Sequence, residues 1–262
     1  MESVEPRDWL LLGALLIGLL FGVLGRLSGF CFRSAFLEVQ ERRPGRQIAA
    51  WLGALCAAVV GSQALSMSGL IDLSQSIYLS QSLALGALTI GGLVFGFGMI
   101  LTRGCGARHL VLAAGGNLRS LIVLLSLGLS AYATLRGILA VPRTWIAPIA
   151  NISIESADQS LVTLASASLA VDADDLLAIV LVALVLIFAL ALVRIGWQTP
   201  IRWSLGVGVL IGLLVPASWY VTGVLGFDEF EPSRLESLTF TAPVGNSLQY
   251  LLTYTGERAC PR

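Results

Sequence analysis

Six apolar stretches, at 9–29, 48–66, 82–101, 121–140, 176–194 and 203–226, contain no Asp or Glu at all. Each is close to the roughly 20 residues that a helix needs to cross the hydrocarbon of a bilayer. A soluble helical bundle would carry charged faces at helical spacing, and these stretches do not. Hydrophobic residues make up 56% of the chain and charged residues 12%, and mean hydropathy is +0.85. These values belong to an integral membrane protein and exclude nucleic acid as a partner. Trp9, Trp51, Trp197, Trp203 and Trp219 lie near the ends of the stretches, where aromatic belts form. The first stretch lacks a small-residue cleavage site and reads as a retained span. The expected fold is all-α: a multi-span helical bundle forming one transmembrane domain over 1–262.

Arginine orients the bundle. All sixteen basic residues are Arg. Arg33, Arg42, Arg43 and Arg46 follow the first stretch, Arg103, Arg108 and Arg119 follow the third, and Arg194 and Arg202 flank the connection before the sixth. The connection at 67–81 holds no arginine, only Asp72. The positive-inside rule then puts the odd connections in the cytoplasm and the N-terminus outside. The acidic 142–175 connection (Glu155, Asp158, Asp172, Asp174, Asp175) falls outside too. Carriers coupled to protons or cations usually embed a carboxylate. Here the charges nearest the interior are Arg26 and Arg136, which snorkel to an interface or favour anions.

One segment breaks the apolar pattern in a chemically pointed way: Thr102-Arg103-Gly104-Cys105-Gly106-Ala107-Arg108-His109-Leu110. A span ends there, and a short apolar stretch (107–114) runs to Gly115-Gly116, after which Asn117 is a good N-cap. The pattern predicts a short half-helix between two breaks, with Cys105 at its N-terminal end. Unpaired backbone N–H groups and the positive end of the helix dipole gather there, a geometry suited to anions. Half-helices aimed at a site within the bilayer are a transporter device. Arg103 and Arg108 add positive charge. His109, the single histidine, is a proton donor, a ligand contact or an ordinary interfacial group.

Ser28-Gly29-Phe30-Cys31-Phe32-Arg33 gives a second thiol a similar setting, with glycine ahead of it and arginine behind. Cys56 sits mid-span among small residues and reads as packing; Cys260 lies near the end of the chain. No spacing fits a zinc site or a disulfide framework, so neither metal nor cofactor is expected. Gly18/Gly22, Gly92/Gly96 and Gly208/Gly212 each set two glycines one turn apart, which predicts close helix contacts.

The cysteine segments, with Gly96-Phe97-Gly98 and Gly116-Asn117-Leu118-Arg119-Ser120, resemble the YeeE/YedE-type sulfur-transport family. The similarity is strongest over 15–140. It implies an hourglass of inverted repeats with short re-entrant helices: a first repeat at 1–140, an outward connection at 141–175, and a second repeat at 176–262. The family's second glycine–cysteine loop is not found in that later part. The resemblance also implies uptake of thiosulfate, or a related selenium compound, across the bacterial inner membrane. Its functional cysteines fall on Cys31 and Cys105, with Gly104, Gly106, Arg33, Arg103, Arg108 and His109 around them. Thiosulfate is a dianion with a soft terminal sulfur, which a thiol suits better than a hard oxygen does. A thiolate would repel the dianion, so the thiols are expected to work protonated. A cytoplasmic sulfurtransferase-like protein is the expected recipient. Two other classes stay open: a sulfur-relay component in which Cys105 carries a persulfide, and a non-transporting membrane subunit. No base–nucleophile pair or nucleotide loop points to an enzyme.

Overall fold

A computed structural model describes residues 6–42, 45–76, 78, 82–149, 151–153, 172–195, 199–226 and 235–254. Much of the 142–175 connection lies outside these residues, as do Trp197 and Cys260. Ten α-helices follow in order among them: α1 (Pro6–Ser28), α2 (Phe32–Gln40), α3 (Arg46–Met67), α4 (Leu85–Thr102), α5 (Gly106–Ala114), α6 (Leu118–Arg136), α7 (Ala140–Ile146), α8 (Ala173–Ile195), α9 (Thr199–Tyr220) and α10 (Thr241–Thr253). Two three-residue strands, β1 (Ser82–Ala84) and β2 (Asn151–Ser153), pair with each other. Five helical stretches among the described residues are long and apolar enough to cross a membrane, and Asp175–Leu190 is a shorter apolar helix. The protein is a multi-span helical membrane protein. Its chain divides into two compact units, Met1–Leu83 with Ile152–Leu238, and Ala84–Asn151 with Thr239–Arg262.

In the first unit, α1 turns one narrow face inward: Ile17, Phe21 and Ser28 are buried, four and seven residues apart. Leu12, Leu15, Leu16, Leu19, Val23 and Leu27 are exposed on the rest of its surface, as a helix facing lipid requires. The tight core is the crossing of α3 and α9. A Cβ added at Gly208 or Gly212 would run into the backbone of Ala50 or Ala54, so only glycine allows the two backbones to approach this closely. Gly53 faces Leu205 and Gly61 faces Pro216, so the contacts advance in the same direction along both helices, which run parallel. Arg46 Nε donates to the buried Ser204 hydroxyl at 3.2 Å and ties off the start of the pair. Pro216 leaves the helix one backbone bond short, and the chain widens into a π-helical turn at Val221–Leu225.

The second unit repeats this plan on a smaller scale. Gly128 of α6 faces Val244 of α10, Gly245 packs back onto α6, and Arg136 Nη1 donates to Gln249 Oε1 at 2.9 Å. These contacts also advance together, so α6 and α10 run parallel as α3 and α9 do. The other two glycine pairs behave differently from expectation. A Cβ at Gly18, Gly22, Gly92 or Gly96 would meet open space. Glycine spacing marks a face that can be approached closely, and of the three pairs Gly208/Gly212 has a helix upon it.

Candidate functional site

Both cysteines sit in one kind of local structure. Each unit has a long helix, a three-residue turn ending in cysteine, a nine-residue helix, and then another long helix. In the first, α1 stops at Gly29, whose φ of +64° is the left-handed conformation glycine adopts cheaply. Ser28 Oγ closes the turn, donating to Leu24 O at 2.8 Å and accepting from Phe30 N at 3.2 Å. Cys31 follows in extended conformation as the N-cap of α2. In the second, Arg103 takes the left-handed position at φ +61°, and Gly104 N donates to Met99 O at 3.2 Å, a Schellman closure. Cys105 then caps α5, again extended. Neither cysteine side chain caps its helix. The sequence places both thiols at helix N-termini, where the first backbone N–H groups have no intrahelical acceptor.

The surroundings differ. Cys31 is 1% exposed, whereas Cys105 is half-buried. Phe30 and Phe32, on either side of Cys31, both reach Trp51 of α3. Phe30 stacks on the indole at 5.5 Å with rings 10° apart, and Phe32 meets it edge-on at 4.9 Å. Trp51 therefore packs against the cysteine turn, with its indole Nε1 buried. Gln47 Nε2 donates to Ser28 O at 3.0 Å, adding a polar tie between α3 and the turn. Glu38 completes the frame. Its carboxylate accepts from the backbone N–H groups of Gly45 (3.2 Å), Gln47 (3.0 Å) and Ile48 (2.9 Å), so the short helix caps the long one after it.

Around Cys105 the frame is a buried histidine. His109 is 4% exposed and its Nδ1 lies 3.2 Å from the hydroxyl of Ser120, which is 2% exposed. The imidazole thus joins α5 to α6. A Cβ at Gly104 would lie 2.9 Å from His109 Nε2, so glycine there makes room for the ring. Thr102 Oγ1 lies within hydrogen-bond distance of Gly98 O and Gly104 O. Asn117 Oδ1 accepts from Ser120 N at 3.1 Å, capping α6, and Gly116 holds φ +87° at the break before it.

Of the residues singled out in the sequence, Cys31 and Arg33 fall in the first unit, and Arg103, Gly104, Cys105, Gly106, Arg108 and His109 in the second. Three important side chains are not singled out by the sequence: Glu38, Trp51 in its inward role, and Ser120. The phenylalanines bracketing Cys31 are a visible sign that an aromatic partner packs there. Ser120 lies three residues beyond the predicted cap Asn117, at the position whose backbone N–H that cap engages.

Apolar helices of membrane-spanning length, two of them followed by a turn that sets a cysteine at the mouth of a nine-residue helix, define a multi-span membrane protein. The chain belongs to the sulphur transport family, whose profile matches residues 27–259 and so includes both cysteine turns. The thiosulfate transporter TsuA of Spirochaeta thermophila is 30% identical over 132 residues. That match covers 50% of this chain and 38% of TsuA, so well under two thirds of the relative is spanned.

Proposed function

We propose that this chain carries a small sulfur oxyanion, thiosulfate foremost, across the bacterial inner membrane, using Cys31 and Cys105 as successive soft contacts. The observation that carries the reading is the twofold occurrence of one device: a thiol capping a nine-residue helix behind a left-handed turn. A divalent anion needs its charge compensated when it leaves water. Helix N-termini do this with fixed dipoles, without the tight grip of a close ion pair. Arg33, Arg103 and Arg108 add charge near the turns. Dipoles and cations alone would accept sulfate equally well; protonated thiols add selectivity for the terminal sulfur. Conduction favours several weak contacts over one strong one, which suits a series of thiols. The short helices re-enter the membrane with their N-termini toward its middle, and the N-terminus of the chain faces outward. A sulfurtransferase-like protein in the cytoplasm receives the anion, and no step of catalysis is assigned to the chain. Membership of a sulphur transport family and the likeness to a thiosulfate transporter support this reading.

The test is growth of a sulfur-auxotrophic bacterial host supplied with thiosulfate alone. The wild-type chain should restore growth, and Cys105→Ala or Cys31→Ala should lose most of it at equal membrane levels. Undiminished growth of both variants would remove the thiols from the pathway. Purified protein in liposomes then separates carriage from relay, since a carrier delivers intact thiosulfate and a persulfide relay delivers only its sulfane sulfur.

A further inference from the structure

Beside Cys31 the first unit holds three buried polar atoms that have no hydrogen-bond partner among the described residues: Arg33 Nε, Gln47 Oε1 and Trp51 Nε1. All three belong to the opening turns of α2 and α3, the helices that meet at the Cys31 turn. Buried polar groups are nearly always paired, and a buried indole N–H usually finds an acceptor. Three such atoms on two adjoining helix starts form a pattern, and the pattern calls for a polar guest.

Trp51 is the most informative of them. Its ring is fixed from two directions by Phe30 and Phe32, the chain neighbours of Cys31. An indole that served as an interfacial anchor would turn its N–H to water or headgroups. This one buries it. We propose that the Trp51 N–H is a substrate donor: it binds an oxygen of the oxyanion whose sulfur end meets the Cys31 thiol. The assignment rests on the thiosulfate reading and deepens it. Thiosulfate has two chemically unlike ends, and a site that orients it needs a partner for each. Cys31 suits the soft sulfur, and a hard N–H donor suits an oxygen. Arg33 Nε is a second donor of the same kind. Gln47 Oε1 is an acceptor and suits a protonated group; its amide is already oriented by the bond from Nε2 to Ser28 O. An uncharged N–H also grips a dianion less firmly than another cation would, and that favours release.

Trp51→Phe tests the idea cleanly, because it deletes the N–H and keeps an aromatic ring between Phe30 and Phe32. Full-length wild type, Trp51→Phe and Trp51→Ala are reconstituted in liposomes, and initial thiosulfate uptake is measured against concentration. Thermal midpoints of the purified proteins serve as the folding control. Trp51→Phe should raise the half-saturating thiosulfate concentration about tenfold, the effect of one hydrogen bond to a charged group, with its thermal midpoint near wild type. It should also weaken the protection that thiosulfate gives Cys31 against a maleimide. If Trp51→Phe matches wild type in both readouts while Trp51→Ala loses uptake, the ring acts only by stacking and the donor role is overturned. Wild-type liposomes that take up no thiosulfate would overturn the transport reading itself, and the assignment with it.

Discussion

In the first unit the cysteine is buried at a turn whose flanking phenylalanines pack on Trp51, and in the second it is half-buried at a turn braced by a buried histidine. The plan is otherwise shared. Each unit runs from a long helix through a cysteine turn and a nine-residue helix into a second long helix, which packs parallel to a helix from later in the chain. A shared backbone device with unlike side-chain frames separates two jobs. The turn and short helix put a thiol where backbone N–H groups converge. The frame decides how freely anything reaches it.

Access is where the units should differ most. With all other cysteines replaced, a variant keeping only Cys105 should react with a small maleimide on the order of 100 times faster than one keeping only Cys31. The buried thiol must wait for a local opening, which costs free energy. Equal rates would mean that Cys31 does not stay buried in solution, and the contrast between the units would fail.

The next contrast lies in how the second long helix of each unit begins. Glu38 caps α3 from within the short helix, accepting three backbone N–H groups, whereas Asn117 caps α6 from the turn itself. Glu38→Ala removes a charged cap and the link between α2 and α3 together. It should cost about 2 kcal/mol in thermal unfolding of the purified protein and quicken alkylation of Cys31. Asn117→Ala should cost about 1 kcal/mol and leave Cys105 reactivity nearly unchanged. If Glu38→Ala left Cys31 as slow as before, the carboxylate would be only a local cap.

The local parts of this architecture are legible in the sequence. The stretch expected at 9–29 is α1 (Pro6–Ser28), that at 48–66 is α3 (Arg46–Met67), and the half-helix expected after Cys105 is α5 (Gly106–Ala114). Long apolar runs, glycine breaks and an Asn cap act over a few residues, so their signal is present in any short window. The parts that depend on distant neighbours are not legible in the same way. Residues 32–40 mix apolar and charged side chains without announcing a helix, because Glu38 finds its partners seven to ten residues on. Trp51 reads as a belt residue, since its sequence position near a span end says nothing of Phe30 and Phe32 folding onto it. Gly18/Gly22 and Gly208/Gly212 have the same spacing, yet Ala50 and Ala54 lie against only the second pair.

The smallest contrast sits two residues before each cysteine. The backbone is left-handed at both places, with φ +64° at Gly29 and +61° at Arg103. A side chain in that conformation costs about 1 kcal/mol relative to glycine. Gly29→Ala should therefore destabilise by about 1 kcal/mol, and Arg103→Gly should stabilise by a similar or smaller amount, as read from thermal midpoints. The second unit thus keeps an arginine where glycine would be the more comfortable residue. A strained residue held at a turn invites a functional reason, and positive charge beside Cys105 is the one at hand. Arg103→Gly should accordingly raise the thermal midpoint while lowering thiosulfate uptake in liposomes, most visibly at low ionic strength where charge is least screened. If uptake stayed at the wild-type level as stability rose, the guanidinium would have no part in drawing the anion to Cys105, and the charge near that turn would fall to Arg108.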